Sequence, residues 1–177
     1  MLAALLALST VDVEFDRAAR VLAEFTSLPH RCQHVATIHG ARFVDDSKAT
    51  NVGAAARSLA SFEARIVWIA GGRHKGGDLG SLRDAARGRV RRALLIGEAA
   101  SEFEAALSDV VACEDVEDLD TAVARASEIA RDGDVVLLAP ACASFDQFDS
   151  FEARGRAFQR AVQELTPPSG GSRENAS

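Results

Sequence analysis

From Val44 to Phe151 the chain alternates short, continuously apolar runs with stretches of helical period, and this alternation constrains its fold more than any other feature. Ile66-Val-Trp-Ile-Ala70 and Val135-Val-Leu-Leu-Ala139 put no charged residue on either face. That is the pattern of strands covered by helices on both sides of a parallel sheet. Strands over 65–70, 91–96, 109–113 and 134–138 alternate with helices over 51–60, 79–88, 101–107, 119–130 and 151–165. Ahead of them, residues 32–38 and 42–45 read as two short strands joined at His39-Gly40, a hairpin turn. The predicted fold class is α/β, a Rossmann-like, doubly wound, mostly parallel sheet with a small antiparallel hairpin at its start.

The chain divides into three. Residues 1–27 carry two helical stretches, 2–8 and 14–26, the second with Phe15, Ala18, Ala19, Leu22 and Phe25 on one face, and Pro29 stops that pattern. Residues 28–165 hold the sheet. Residues 166–177, rich in Pro, Gly and Ser without a hydrophobic period, read as a disordered tail. The apolar start Met1-Leu-Ala-Ala-Leu-Leu-Ala-Leu8 is short and lacks a basic flank, so it is neither a signal peptide nor a membrane span.

At 177 residues, 47% apolar and 26% charged, the chain has the composition of a soluble globular protein. A net charge of −6, with no basic stripe among aromatics, argues against nucleic acid as a partner. Cys32, Cys113 and Cys142 are odd in number and form no CxxC pair, which points to reduced thiols in a cytoplasm. With no HxH, HExxH or CxxC spacing, a metal site within this chain is not expected.

In an open parallel sheet, ligands bind outside the carboxyl ends of the strands, so the loops leaving those ends carry the functional signal. Of twenty basic residues only two are lysines, and each sits in such a loop. Val44-Asp-Asp-Ser-Lys-Ala-Thr-Asn51 contains Lys48 and ends where Thr50 or Asn51 can cap a helix, either as an anion site or as a plain capped turn. Gly71-Gly-Arg-His-Lys-Gly-Gly77 contains Lys75. Its glycines admit a close ligand, although the spacing is not that of a GxxxxGK[ST] phosphate loop and a flexible surface turn has the same composition. Ala139-Pro-Ala-Cys-Ala-Ser-Phe-Asp-Gln-Phe148 places Ser144 and Gln147 at capping-box spacing. Converging on one edge, the three loops suit a small dicarboxylate. Upstream, Leu28-Pro-His-Arg31 sets His30 and Arg31 after a proline stop, which alone is an ordinary solvated loop.

Taken in order, Leu28-Pro-His-Arg31, Asp46-Ser-Lys-Ala-Thr-Asn51, the Gly71-to-Gly77 loop and Pro140-Ala-Cys-Ala-Ser-Phe-Asp-Gln-Phe-Asp-Ser-Phe151-Glu-Ala-Arg-Gly155 resemble the Mur ligases over roughly residues 1–165. The likeness is strongest to the branch that adds D-glutamate. It implies an ATP-dependent, ADP-forming ligase of peptidoglycan synthesis that activates UDP-N-acetylmuramoyl-L-alanine as an acyl phosphate for attack by the amine of D-glutamate. In that family a central domain holds ATP and Mg, an N-terminal domain holds the UDP group, and a C-terminal Rossmann-like domain brings the amino acid. This chain resembles the last, with residues 1–27 resembling the closing helices of the central domain.

By the same resemblance, Thr50, Lys75, Ser144, Phe145 and Phe151 match substrate-binding positions for D-glutamate. Arg31 and Asp46 match nucleotide contacts, Asp46 for ribose hydroxyls and Arg31 near the phosphates. Lys48 and His30 match catalytic-motif residues, with Lys48 suited to neutralising phosphoryl charge. Asp45 stands where many relatives have asparagine, and Arg73-His74 precede Lys75 where Asp or Gly is common. No GKS/T loop is present in the sequence, so the chain is expected to need the other Mur domains, in cis or in trans, for ligation. The competing expectations are a non-catalytic Rossmann-like binding module, and a Mur or folylpolyglutamate-type domain for another amino acid. The diaminopimelate-adding branch is disfavoured because no Asp-Asn-Pro-Arg-like motif occurs.

Overall fold

The computed structural model describes residues 28–165. The helices expected over 2–8 and 14–26 and the tail 166–177 lie outside the described residues. In chain order the elements are β1 (Gln33–Ile38), β2 (Ala41–Asp45), α1 (Val52–Ala60), β3 (Ile66–Gly71), α2 (Gly80–Ala86), β4 (Val90–Ile96), α3 (Ala100–Leu107), β5 (Cys113–Glu117), α4 (Leu119–Ile129), β6 (Val135–Ala141) and α5 (Phe151–Glu164). Among the described residues no helix is long and apolar enough to cross a membrane.

The strands form one sheet in the order β1-β2-β6-β3-β4-β5. All neighbours are parallel except β1 and β2, as the apolar runs and the hairpin predict. His39 and Gly40, at φ 49 and 79, make the two-residue turn between them. Two left-handed central residues match the twist of an antiparallel pair.

Alternate strand residues feed two cores. Ile66, Trp68, Leu95 and Leu137 pack with Leu59 of α1, Leu82 of α2, and Phe103 and Leu107 of α3. Val67, Ile69, Leu94 and Val136 pack with Leu119 and Val123 of α4 and Phe158 and Val162 of α5. Each large side chain removed from water in this way contributes about 1.5–3 kcal/mol before entropy is counted. Trp68 is wholly buried and satisfies its indole N–H on the carbonyl of Ala139 at 2.8 Å.

Three elements depart from the sequence pattern by more than one residue; the first is β6, which runs to Ala141 where an end at 138 was expected. The strand expected over 109–113 lies at Cys113–Glu117. Val110 and Val111 drew the expectation, but Val111 instead packs in the first core with Leu107, while the edge strand buries only Val116. Helix α2 ends at Ala86, short of the expected 88, because Gly88 turns the chain at φ 71.

The topology puts a crevice between β3 and β6. From β3 the chain leaves through α2 toward β4, whereas from β6 it leaves through α5 toward the β1-β2 side. Strand order reverses there, the point at which open α/β sheets bind ligands.

Candidate active site

The first loop leaves β2 and enters α1. Asn51, extended at φ −147, caps α1 by accepting from the Ala54 N–H at 2.9 Å. Of the two candidate caps it is therefore Asn51 that serves, and the Thr50 side chain is left for other contacts. The loop is tied to β6 by the Ala141 N–H, which donates to the Ala49 carbonyl at 2.9 Å.

The second loop leaves β3 through Gly71 and Gly72, at φ 120 and 119. Arg73 and Ala143 exchange two backbone hydrogen bonds, 2.9 and 3.0 Å, which clasp this loop to the one after β6. The Arg73 guanidinium forks onto Glu98 at 2.8 and 3.0 Å, and His74 Nδ1 pairs with Glu102 at 2.9 Å. Neither of these unusual residues lines the cavity described next.

The third loop corrects one expectation. Ser144 is not the cap of a helix. Its carbonyl accepts from the N–H groups of Gln147 and Phe148 to close a turn, and Gln147 reaches across to the Glu117 carbonyl at 2.7 Å. The cap is Ser150, whose Oγ accepts from the Ala153 N–H at 3.1 Å to start α5.

These loops enclose a small cavity of about 120 Å³ lined by Thr50, Lys75, Ala143, Ser144, Phe145 and Phe151. All five residues predicted to bind the amino acid therefore meet in one place. Hydroxyls from Thr50 and Ser144 and the ammonium of Lys75 offer donors to carboxylates, and the two phenyl rings offer apolar walls. Phe145 is 59% exposed, unusual for a large apolar side chain.

A second cavity, about 280 Å³, is lined by Arg31, Cys32, Asp46, Lys48, Ala49, Ala54, Arg57, Ser58 and Ser61. It unites the predicted nucleotide contacts Arg31 and Asp46 with Lys48. Burial pushes the Asp46 carboxyl above the usual carboxylate range, against a hydrogen bond from Ser58 that lowers it. Arg57 was not singled out from sequence, because it lies on the helix rather than in a motif.

His30, at φ 60 and 6% exposed, lines neither cavity. Its Nδ1 pairs with buried Asp45 at 2.7 Å, and Asp45 also accepts from Gln159 at 2.8 Å and from the Ser47 N–H at 2.9 Å. The His30 carbonyl accepts from the Lys48 N–H at 3.1 Å, and its ring meets Phe151 edge-on with centroids 6.3 Å apart. The His30 carbonyl thus holds the Lys48 backbone, and the imidazole packs against Phe151.

Residues 30–142 match the Mur ligase, glutamate ligase domain family. The chain belongs to that family. This Mur ligase domain is 48% identical over 166 residues to the UDP-N-acetylmuramoylalanine--D-glutamate ligase of Sphingopyxis alaskensis, covering 92% of the chain and 38% of that protein. It is 54% identical over 144 residues to the protein of the same name from Jannaschia sp., covering 81% and 30% respectively. The chain spans about a third of the length of these relatives. Among solved structures, E. coli FolC in complex with DHPP and ADP superposes with a TM-score of 0.63 at 20% identity, over 93% of this chain and 38% of that one. UDP-N-acetylmuramate-alanine ligase MurC from Thermotoga maritima gives 0.61 at 14% identity, over 93% and 37%. Both share the fold.

One residue of the Mur ligase domain escaped the sequence reading although it stands in a quoted motif. Arg154 of α5 is 1% exposed. Its Nε donates to Ser47 Oγ, and its Nη2 donates to the carbonyls of Ser47 and Cys142, each at 3.1 Å. An arginine one helical turn after Phe151, on the same face, was the available signal. Cys142 beside it is fully buried, and burial pushes its thiol up to about 12, the behaviour of a packed, inert cysteine.

Proposed function

We propose that this chain is the glutamate-binding, C-terminal domain of an ATP-dependent ligase that joins D-glutamate to UDP-N-acetylmuramoyl-L-alanine in the bacterial cytoplasm during peptidoglycan synthesis. The observation that carries it is the shared cavity of Thr50, Lys75, Ser144, Phe145 and Phe151. The names of the relatives support the choice of amino acid and acceptor. In this proposal residues 28–165 form the domain, and residues 1–27 close a preceding ATPase domain.

In such a ligase ATP supplies the phosphoryl group that activates the acceptor carboxylate, and the glutamate amine then displaces phosphate from the acyl carbon with loss of a proton. Lys75, Thr50 and Ser144 hold the two glutamate carboxylates and aim the amine. Phe151 and Phe145 exclude water from the apolar part of the amino acid. Arg31 and Lys48 face nucleotide phosphates and Asp46 accepts from ribose, a donor set that fits the charges lining the larger cavity. Lys48 offsets negative charge as it develops during transfer. His30 is a positioning residue that holds the Lys48 loop. Among the described residues no cluster of three His, Cys, Asp or Glu side chains is arranged to hold a metal; in this proposal Mg belongs with ATP on the central domain.

The test is reconstitution. The chain is mixed with the N-terminal and central domains of a homologous ligase, and ADP release is followed with ATP and UDP-N-acetylmuramoyl-L-alanine present. The expected result is ADP release that requires both this chain and D-glutamate, and that Lys75→Ala abolishes. Activity indifferent to D-glutamate, or to Lys75→Ala and Ser144→Ala together, overturns the proposal.

A further inference from the structure

Arg154 is buried and forms no ion pair within 4 Å among the described residues, although Asp146 and Asp45 lie near enough to act on its charge. No carboxylate among the described residues accepts a hydrogen bond from it: Asp45 is taken up by His30, Gln159 and the Ser47 N–H, and Asp146 Oδ2 by the Glu98 N–H. Its Nη1 is buried with no hydrogen-bond partner among the described residues. Burial lowers its pKa to about 10, which leaves it charged at neutral pH. A buried cation without an ion-pair partner is costly, and its field reaches further than a solvated one.

Its surroundings show where that field acts. The guanidinium touches Ser47 and Cys142, and Nη1 lies 3.3 Å from where a Cβ on Gly72 would stand. Ser47 precedes Thr50 by three residues, Gly72 precedes Lys75 by three, and Cys142 precedes Ser144 by two. Phe151 lies one turn before Arg154 on the same helix. Every loop that contributes to the smaller cavity therefore passes over Arg154 just before contributing its lining residue. Gly72 fits there because it has no side chain: a Cβ would meet the Ala143 carbonyl oxygen at 2.4 Å.

We propose that Arg154 is a specificity-determining residue, a buried positive charge beneath the cavity that favours amino acids with two carboxylates over those with one. The proposal rests on the glutamate reading above. Lys75 is exposed, and its attraction is screened by water and salt; Arg154 is fixed and buried, so its contribution is screened much less, although Asp146 and Asp45 offset part of it.

The experiment is an NMR titration of the 177-residue chain with D-glutamate and with D-glutamine, repeated for Arg154→Met and Arg154→Lys. D-glutamine has the same shape and one charge fewer. The unsubstituted chain is expected to prefer D-glutamate. Arg154→Met is expected to weaken D-glutamate roughly tenfold while changing D-glutamine much less, and Arg154→Lys to keep most of the preference. Equal weakening of both ligands by Arg154→Met reduces the residue to a structural strut and overturns the proposal, as does unchanged D-glutamate binding. Should Arg154→Met not fold, Arg154→Lys decides, since a folded lysine variant that has lost the preference also overturns it. An unsubstituted chain that binds neither ligand, or both equally, overturns the glutamate reading as well.

Discussion

The ammonium of Lys48 stands 3.7 Å above the ring centroid of Phe151, and this contact is the wall between the two cavities. Phe151 lines the smaller and Lys48 the larger. A cation over an aromatic face is worth about 0.5–2 kcal/mol, more as water is excluded. Phe151→Leu keeps an apolar wall and removes the ring. In the reconstituted ligase it is expected to raise KM for both D-glutamate and ATP by a few-fold to about tenfold. A rise confined to D-glutamate shows that the ring does not hold Lys48.

Gly155 is the helical position against which His30 packs. A Cβ there would lie 2.1 Å from His30 Nδ1. Gly155→Ala must push the imidazole off Asp45 and is expected to destabilise the fold by about 1–3 kcal/mol, despite the better helix propensity of alanine. Thermal unfolding measures it, at about 2–4 °C per kcal/mol for a domain of this size.

Asp46 carries a carboxyl raised by burial. An acid whose pKa is higher folded than unfolded binds more protons in the folded state between those two values, so stability falls as pH rises through that window. Asp46→Asn removes the charged form and keeps an acceptor for the Cys32 N–H. Its melting temperature is expected to exceed that of the parent at neutral pH, and the gap to close as pH falls through the carboxylate range. Nucleotide binding by the same variant is expected to be weaker, the opposite direction.

The thiols separate by environment. Cys32 is exposed, whereas burial raises Cys113 to about 11 and Cys142 to about 12. A maleimide at neutral pH is expected to label Cys32 first and Cys142 only on unfolding. Partial burial and then Asp46 raise the Cys32 thiol, so Asp46→Asn is expected to speed its labelling. Mass spectrometry of the labelled chain reports both.

Much of this was legible in the chain because local pattern and global fold agree. Fully apolar runs gave the central strands, and His39-Gly40 gave the turn. The cavity residues could be named together because the motifs that hold them resemble those of a known family, and their meeting in one cavity follows from the sheet topology. What was not legible depended on through-space packing. Ser144 has the spacing of a cap, but the turn it closes consumes its carbonyl and leaves the cap to Ser150. Val110 and Val111 have strand propensity, yet Val111 is needed in the core beneath α3. Arg154 was passed over, because its helical register with Phe151 gives the face it occupies but not the three loops that fold over it.

The clasp between Arg73 and Ala143 carries a consequence for how such domains diverge. Two segments some seventy positions apart share one pair of main-chain bonds, so neither can gain or lose a residue between its strand and the clasp without misaligning the other. Length changes in one should be accompanied by matching changes in its counterpart, whereas the stretch beyond the clasp, from Gly76 on, is outside that constraint and answers instead to the Asp78 side chain, which accepts from the Gly80 N–H at 2.8 Å.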